Sequence, residues 1–200
     1  MKIRYNGNTS FTFTTDGLVT VTDLASAKAS GVKGLSSEAD VVINSRLEAT
    51  ALDIKPVNRE KVFEISSPGE YEIAGLMVQR PISGVHYVID YDLIRIVYIG
   101  FGSKNIDVKQ LRDLGDVDVL LLPYSDGEDF PSYDTIQEII SKVEPVILVP
   151  FGTDAPGSKS KEDFVKTFGY TTATTEKMLK VESKPEAEER AMRVVFLESK

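Results

Sequence analysis

The stretch Glu38-Ala-Asp-Val-Val-Ile-Asn-Ser-Arg-Leu-Glu-Ala-Thr-Ala-Leu-Asp53 decides how the rest of the chain is read. Its first half holds a short apolar run, Val41 to Ile43, bounded by acidic and polar residues. A run of that length without polar alternation is the pattern of a strand covered on both faces. Its second half changes character at Ser45 and sets a cation, Arg46, a carboxylate, Glu48, a hydroxyl, Thr50, and a methyl, Ala51, just past the strand end. That half is where chemistry is expected.

Composition narrows the choice of chemistry. With 200 residues, 42% hydrophobic and 27% charged, the chain fits one soluble globular domain spanning 1–200. Its 31 acidic against 23 basic side chains give a net charge of -8. No Lys/Arg-rich stretch offsets that balance, so nucleic acid is not an expected partner. Cysteine is absent, which removes disulfides, thiolate zinc sites and cysteine nucleophiles. Met1 to Tyr5 reads as a strand and no apolar run approaches transmembrane length, so the expectation is a cytoplasmic protein without a membrane partner. The single histidine is the most restrictive count, because zinc hydrolysis usually takes two or three imidazoles and a Ser-His-Asp triad takes one. His86 acts alone or not at all.

In chain order, Lys2 to Tyr5, Ser10 to Thr14 and Leu18 to Thr22 read as a β-meander, with Asp16-Gly17 as a hairpin signal. Asp23, at the end of the third strand, reads first as a cap or turn residue. Residues 24–38 suit a loop or short helical turn. Lys61 to Ile65 is a strand, and Pro68-Gly69-Glu70-Tyr71-Glu72-Ile73-Ala74-Gly75 is a turn feeding an alternating strand that continues at Leu76 to Gln79. His86 to Tyr91 and Leu93 to Ile99 form a further hairpin, and His86 at its start is expected at the surface or hydrogen-bonded in the core. Asp107 to Leu114 reads as a short amphipathic helix and Val117 to Pro123 as a fully apolar strand. Ser132 caps a helix with apolar residues at Tyr133, Ile136, Ile139 or Ile140, and Val143. Pro145 to Pro150 is another buried strand. Ser160 with Asp163 opens a helix that Gly169 closes. Met178 to Glu182 and Arg193 to Glu198 are the closing strands, separated by an acidic, exposed Pro185 to Arg190.

Several of these segments resemble the metallo-β-lactamase superfamily, in a bacterial, lactonase-like branch of zinc-dependent hydrolases. The resemblance is carried by Pro-Gly-Glu-Tyr-Glu-Ile-X-Gly at Pro68 to Gly75, by Leu-X-X-Leu-Gly-Asp-Val-Asp-Val-Leu-Leu-Leu-Pro at Leu111 to Pro123, and by the strand ending at Ser45. It implies a four-layer αββα sandwich of two mixed sheets with outer helices. In the superfamily the strand ends in Ser-His-X-His-X-Asp-His, and those side chains bind two catalytic metals. Aligned on Ser45, those positions hold Arg46, Glu48, Thr50 and Ala51. The Gly-His-Ser-X-Phe corner of the branch has Asn8 in its imidazole slot, the Gly-Asp-X-Gly-His segment has Phe101 where its carboxylate stands, and the last metal-binding His is replaced by Gly152. The following strand of the family ends in an Asp near the metals, which falls on Asp23. The family's usual Asp-Gly hairpin is Asp92-Leu93 here.

The resemblance therefore implies a hydrolase frame with a degenerate metal site: no zinc, no cofactor and no catalytic residue. The first functional reading is a non-catalytic binding or scaffold protein whose partner is a protein or an anionic small molecule, with self-association left open. The second is a hydrolase with metal-free or oxygen-ligand metal chemistry in the same cleft, using Asp23, Arg46, Glu48, Asp53 or Ser103 as contacts. Arg46 is expected in a partly buried pair with Glu48, Asp23 or Asp53, since a guanidinium is costly to bury alone.

Overall fold

The fold is described by a computed structural model covering residues 1–46, 52–125, 127–152, 160–182 and 192–199. The chain opens with the strands β1 (Lys2–Gly7), β2 (Ser10–Thr15) and β3 (Leu18–Thr22), then the one-and-a-half-turn helix α1 (Leu24–Ala29) and the short strand β4 (Val41–Ile43). Next come β5 (Phe63–Ile65), β6 (Gly69–Ile73), β7 (Leu76–Arg80), β8 (His86–Tyr91) and β9 (Ile94–Ile99). The second half alternates strands and helices: β10 (Val119–Pro123), α2 (Tyr133–Val143), β11 (Ile147–Phe151), α3 (Lys161–Phe168), then β12 (Thr174–Glu176), β13 (Leu179–Lys180) and β14 (Arg193–Leu197). Among the described residues the strands form a six-stranded sheet, β13-β1-β2-β3-β4-β5, and an eight-stranded sheet, β12-β14-β11-β10-β9-β8-β7-β6.

Both sheets are mixed, for a reason visible in the connections. Tight turns give antiparallel pairs, as in β1 to β3 and β6 to β9, while crossovers through α2 and the segment after β9 give parallel ones, β9 to β10 and β10 to β11. The core between the sheets holds Ile3, Phe11, Phe13, Val41, Ile43, Tyr98, Leu121 and Phe151. A second apolar layer lies outside the eight-stranded sheet, where Ile136, Ile139, Ile140 and Val143 of α2 and Phe164 of α3 cover Val97, Leu120 and Leu148. Burying each such side chain stabilises the fold by roughly 1.5–3 kcal/mol. A smaller layer with Leu24 of α1 against Val21 and Val42 covers the six-stranded sheet. The layers are therefore the αββα sandwich that the resemblance implied.

Helix ends follow the sequence closely. Ser132 accepts the Thr135 N–H at the start of α2, and Ser160 with Asp163 forms a reciprocal capping box on α3, which Gly169 ends with φ 75°. Three expectations change. Asp107 to Leu114 is not an α-helix but a 3₁₀ turn over Val108–Leu111, with Asp107 capping the Lys109 N–H. The closing segment contains a further strand, β12, that its Thr-rich, half-exposed sequence did not announce. His86 is neither at the surface nor hydrogen-bonded: it is 1% exposed, opposite Ile99 in the β8–β9 ladder, and neither ring nitrogen finds a partner within the described residues. Pro185 to Arg190 lies outside the described residues.

Candidate functional site

The ends of β4, β9, β10 and β11 meet at one edge of the sandwich. Pro123 and Pro150 help to open it. A proline cannot donate to a ladder, and both stand beyond the point where one neighbour has stopped pairing, β9 at Leu121 and β14 at Leu148. Gly100, just after β9, allows the closest approach. A Cβ there would fall 2.5 Å from both Cβ and Oγ of Ser45 and 2.9 Å from the Tyr98 hydroxyl, so only glycine lets the end of β9 reach the end of β4.

At the centre is Asp23. It stands at the N-cap of α1 with φ 44°, a left-handed conformation that aspartate tolerates, but its side chain does not cap the helix. The carboxylate instead crosses to the β4 end, where Oδ1 accepts the Ser45 N–H at 2.7 Å and Oδ2 accepts the Ser45 hydroxyl at 2.6 Å. Oδ2 also lies in close contact with the Tyr98 hydroxyl from β9. Ser45 Oγ in turn accepts the Phe101 N–H at 2.9 Å, tying the two sheets together. Burial pushes the Asp23 carboxyl pKa up, against the opposing pull of the Ser45 and Tyr98 hydrogen bonds. Burial, followed by the Asp23 charge, pushes the Tyr98 phenol well up too. The cap reading of Asp23 is thus replaced by a brace between strand ends. Sequence reasoning missed Tyr98, whose only signal was a hydroxyl carried on the inward face of an otherwise apolar strand.

Around this brace the cleft is packed with rings. Phe11 and Phe151 meet edge to face at 5.1 Å, Tyr5 and Phe11 are tilted at 5.0 Å, and Tyr98 lies over Phe151 at 6.2 Å. The Tyr5 hydroxyl donates to the Asn8 carbonyl at 2.8 Å and accepts the Gly152 N–H at 3.2 Å. Gly152, with φ 85°, contributes backbone only. Asn8 turns its amide away to donate to Ser30 Oγ at 2.6 Å. Ser103 is buried and donates to the Gly100 carbonyl at 2.8 Å, fixing the turn after β9 rather than facing the cleft. Asp53 is exposed, and no hydrogen bond among the described residues links it to Arg46 or Asp23. Glu48, Thr50 and Ala51 lie outside the described residues.

Arg46 has a carboxylate partner, but not one of those named from the sequence. Its Nη2 donates to Asp129 Oδ2 at 2.8 Å, and its guanidinium sits 4.7 Å from the Phe101 ring centroid. Phe101 stacks on Phe130 at 5.6 Å. The pair is half-exposed, 48% and 49% for the two side chains, and so differs from the partly buried pair expected. Asp129 could not be found by neighbourhood, since it is 83 residues away in the loop after β10. Phe130 also lines a depression of about 500 Å³ together with Lys104, Asn105, Ser125 and Ser132.

These residues do not fit zinc, which takes nitrogen, sulfur or carboxylate donors in a fixed tetrahedron. Among the described positions at this edge, Asn8 holds Ser30, Arg46 is a cation, Phe101 a ring and Gly152 a backbone. Asp23 already receives the Ser45 N–H, the Ser45 hydroxyl and the Tyr98 hydroxyl. No group of three or more His, Cys, Asp or Glu side chains placed to hold a metal occurs among the described residues. None of the described helices is long and apolar enough to cross a membrane.

Comparison with known proteins agrees with this architecture. A candidate Zn-dependent hydrolase of the metallo-β-lactamase superfamily from Thermotoga maritima superposes with a TM-score of 0.76 at 22% identity, covering 98% of this chain and 100% of that one. A candidate metal-dependent hydrolase from Parabacteroides distasonis gives 0.62 at 14% identity over 99% and 93% of the two chains. The metallo-β-lactamase fold protein YhfI from Bacillus subtilis gives 0.60 at 11% identity over 99% and 96%. At these identities the likeness is one of fold. No curated protein matches in sequence. The family described as the β-lactamase superfamily domain matches residues 2–152, and with three-quarters of its length inside that match the chain belongs to this superfamily.

Proposed function

We propose that this protein is a non-catalytic binding or scaffold member of the superfamily, in which the strand ends that carry metals elsewhere have become a structural joint. The observation that supports the reading is the saturation of Asp23. The one carboxylate in the described centre has its acceptors taken by Ser45 and Tyr98, and leaving those donors unpaired in a buried site is expensive. The filled ring cluster behind it supports the same reading, since a substrate at this edge would have to displace packed aromatics. The half-exposed Arg46 and the depression beside Phe130 leave room for a protein or an anionic small molecule on the rim. The test is metal analysis of protein purified without chelator. Well under one equivalent of zinc is expected. One or two equivalents, lost on Asp23→Ala or Glu48→Ala, would overturn the reading.

One contact favours the second reading, a hydrolase with metal-free chemistry in this cleft. The Ser45 hydroxyl lies 2.6 Å from a carboxylate whose pKa is raised, the arrangement of a nucleophile beside its base. Ser45 is only 9% exposed and its Oγ already accepts the Phe101 N–H, so the scaffold reading predicts no labelling of Ser45 by a fluorophosphonate.

A further inference from the structure

At the end of the eight-stranded sheet opposite Ser45, two hairpin tips stand side by side: Ala74-Gly75 between β6 and β7, and Asp92-Leu93 between β8 and β9. Both place their two central residues in the left-handed region, φ 51° and 81° in the first and 51° and 64° in the second. In such turns glycine takes the second position without steric cost. The first tip has it. The second has Leu93, whose side chain is 86% exposed, so backbone strain is accepted to hold an isobutyl group in water with no packing return inside the chain.

Leu93 is not isolated. Met77, 56% exposed, lies beside it, and the two line a depression of about 420 Å³ with Tyr91, Asp90, Asp92 and Asp116. On this face the cross-strand partners run Glu72, Met77, Asp90, Arg95. Arg95, the cation here, is held by Asp90 through two bonds of 2.9 Å and by the Leu114 carbonyl. Glu72 and Asp92 are exposed, and Asp116 lies close enough to Arg95 to act on its charge, so the rim around the apolar pair is acidic.

We propose that this tip docks a lysine- or arginine-bearing segment of a partner protein. A long cationic side chain matches both halves of the site, with an aliphatic stem to lie on Leu93 and Met77 and a charged end to meet Asp92 or Glu72. The net charge of -8 draws such a partner from a distance. A second copy of the chain is a poor occupant, because a symmetric contact would set Asp92 and Glu72 against their own kind. The tip lies at the far end of β9 from Gly100, so the proposal stands apart from any chemistry at the Ser45 edge.

The probe is a synthetic amphipathic peptide of leucine and lysine at helical spacing, titrated into the full chain at low salt and followed by amide NMR shifts, with a leucine–glutamate peptide as counterpart. The lysine peptide is expected to shift the Met77 and Tyr91 to Ile94 amides saturably, and the glutamate peptide to leave them still. Leu93→Gly should weaken binding about tenfold, as loss of a central anchor does, while raising Tm because glycine fits the turn. Ile82→Ser, 93% exposed at the other end of β8, should change neither. Undiminished binding by Leu93→Gly, no rise in its Tm, shifts mapping elsewhere, or self-association of the wild type that Leu93→Gly abolishes would each overturn the proposal.

Discussion

Two buried aspartates flank β4, one at each end, and they answer burial in opposite ways. Asp40, just before Val41, accepts the N–H groups of Val19 at 2.9 Å, Val57 at 2.9 Å and Asn58 at 2.6 Å, and the Asn58 amide at 3.0 Å. Burial pushes its pKa up, but these donors together outweigh it and the net shift is downward. Asp23, at the other end, is also richly bonded, yet there burial prevails and the pKa rises. The difference is depth. Asp40 closes a loop near solvent, whereas Asp23 sits between the sheets, where a charge is disfavoured even when hydrogen-bonded. Both act as braces, so the carboxylate at the Ser45 edge does the same structural work as one at the opposite end of β4.

Removing each brace sharpens the contrast. Asp23→Ala strands the Ser45 N–H and hydroxyl in the core, while Tyr98 keeps the Thr9 carbonyl at 2.9 Å, and is expected to destabilise by about 3 kcal/mol. Asp40→Ala exposes its donors to nearby water and is expected to cost about 2 kcal/mol. The pH dependences should run in opposite directions. A raised folded pKa gives a contribution that is full below the ordinary value of 3.8 and is lost as pH rises through the folded value, so the Asp23→Ala penalty grows on acidification. A lowered folded pKa gives one that is present above 3.8 and lost as pH falls through the folded value, so the Asp40→Ala penalty shrinks. Urea melts of both variants across the acid range read this directly, and penalties moving the same way would break the comparison.

His86 is the unbraced counterpart of both. Burial alone lowers its pKa from 6.5 to about 4. The folded state favours the neutral ring, so this residue's contribution falls as pH drops from 6.5 towards 4, where the unfolded chain takes up the proton and the folded one does not. The expected loss is about 2–3 kcal/mol across that window. His86→Leu should remove this loss and be neutral or mildly stabilising at pH 7, because two nitrogens without a partner among the described residues leave the core. Chemical denaturation of both proteins at pH 7 and near pH 4 decides it, with equal pH slopes as the contrary outcome.

What could be read from the sequence follows from range. Strands β1 to β4, the Ser132 and Ser160 caps and the Gly169 stop are governed by alternation or by contacts a few residues long, and all lie where the pattern placed them. The αββα layering was implied by the resemblance that Pro68 to Gly75 and Leu111 to Pro123 carry. The joint at the site was not, because Asp23 meets Tyr98 across 75 residues and Arg46 meets Asp129 across 83, separations that no local pattern encodes. His86 was misread for a related reason. Its burial comes from the opposite strand and from the approach of Pro81 and Gly84, where even a Cβ on Gly84 would fall 2.9 Å from Pro81 and 3.2 Å from the ring.

The smallest effect is expected at Arg46, the residue whose charge first suggested a replaced metal site. Its ion pair with Asp129 is half-exposed on both sides, so solvent screens it and side-chain entropy opposes it. Its position over Phe101 adds a cation–π contact of about 0.5–1 kcal/mol at such exposure. Arg46→Ala should therefore destabilise by at most about 1 kcal/mol, and a double-mutant cycle with Asp129→Ala should return a coupling of the same small size that fades with added salt. A loss above about 3 kcal/mol would mean that the pair is buried in solution and that this strap, rather than Asp23, closes the joint. An unchanged melt with lost affinity for an anionic probe such as inorganic phosphate would instead make Arg46 a ligand clamp, and the rim of the cleft a binding site.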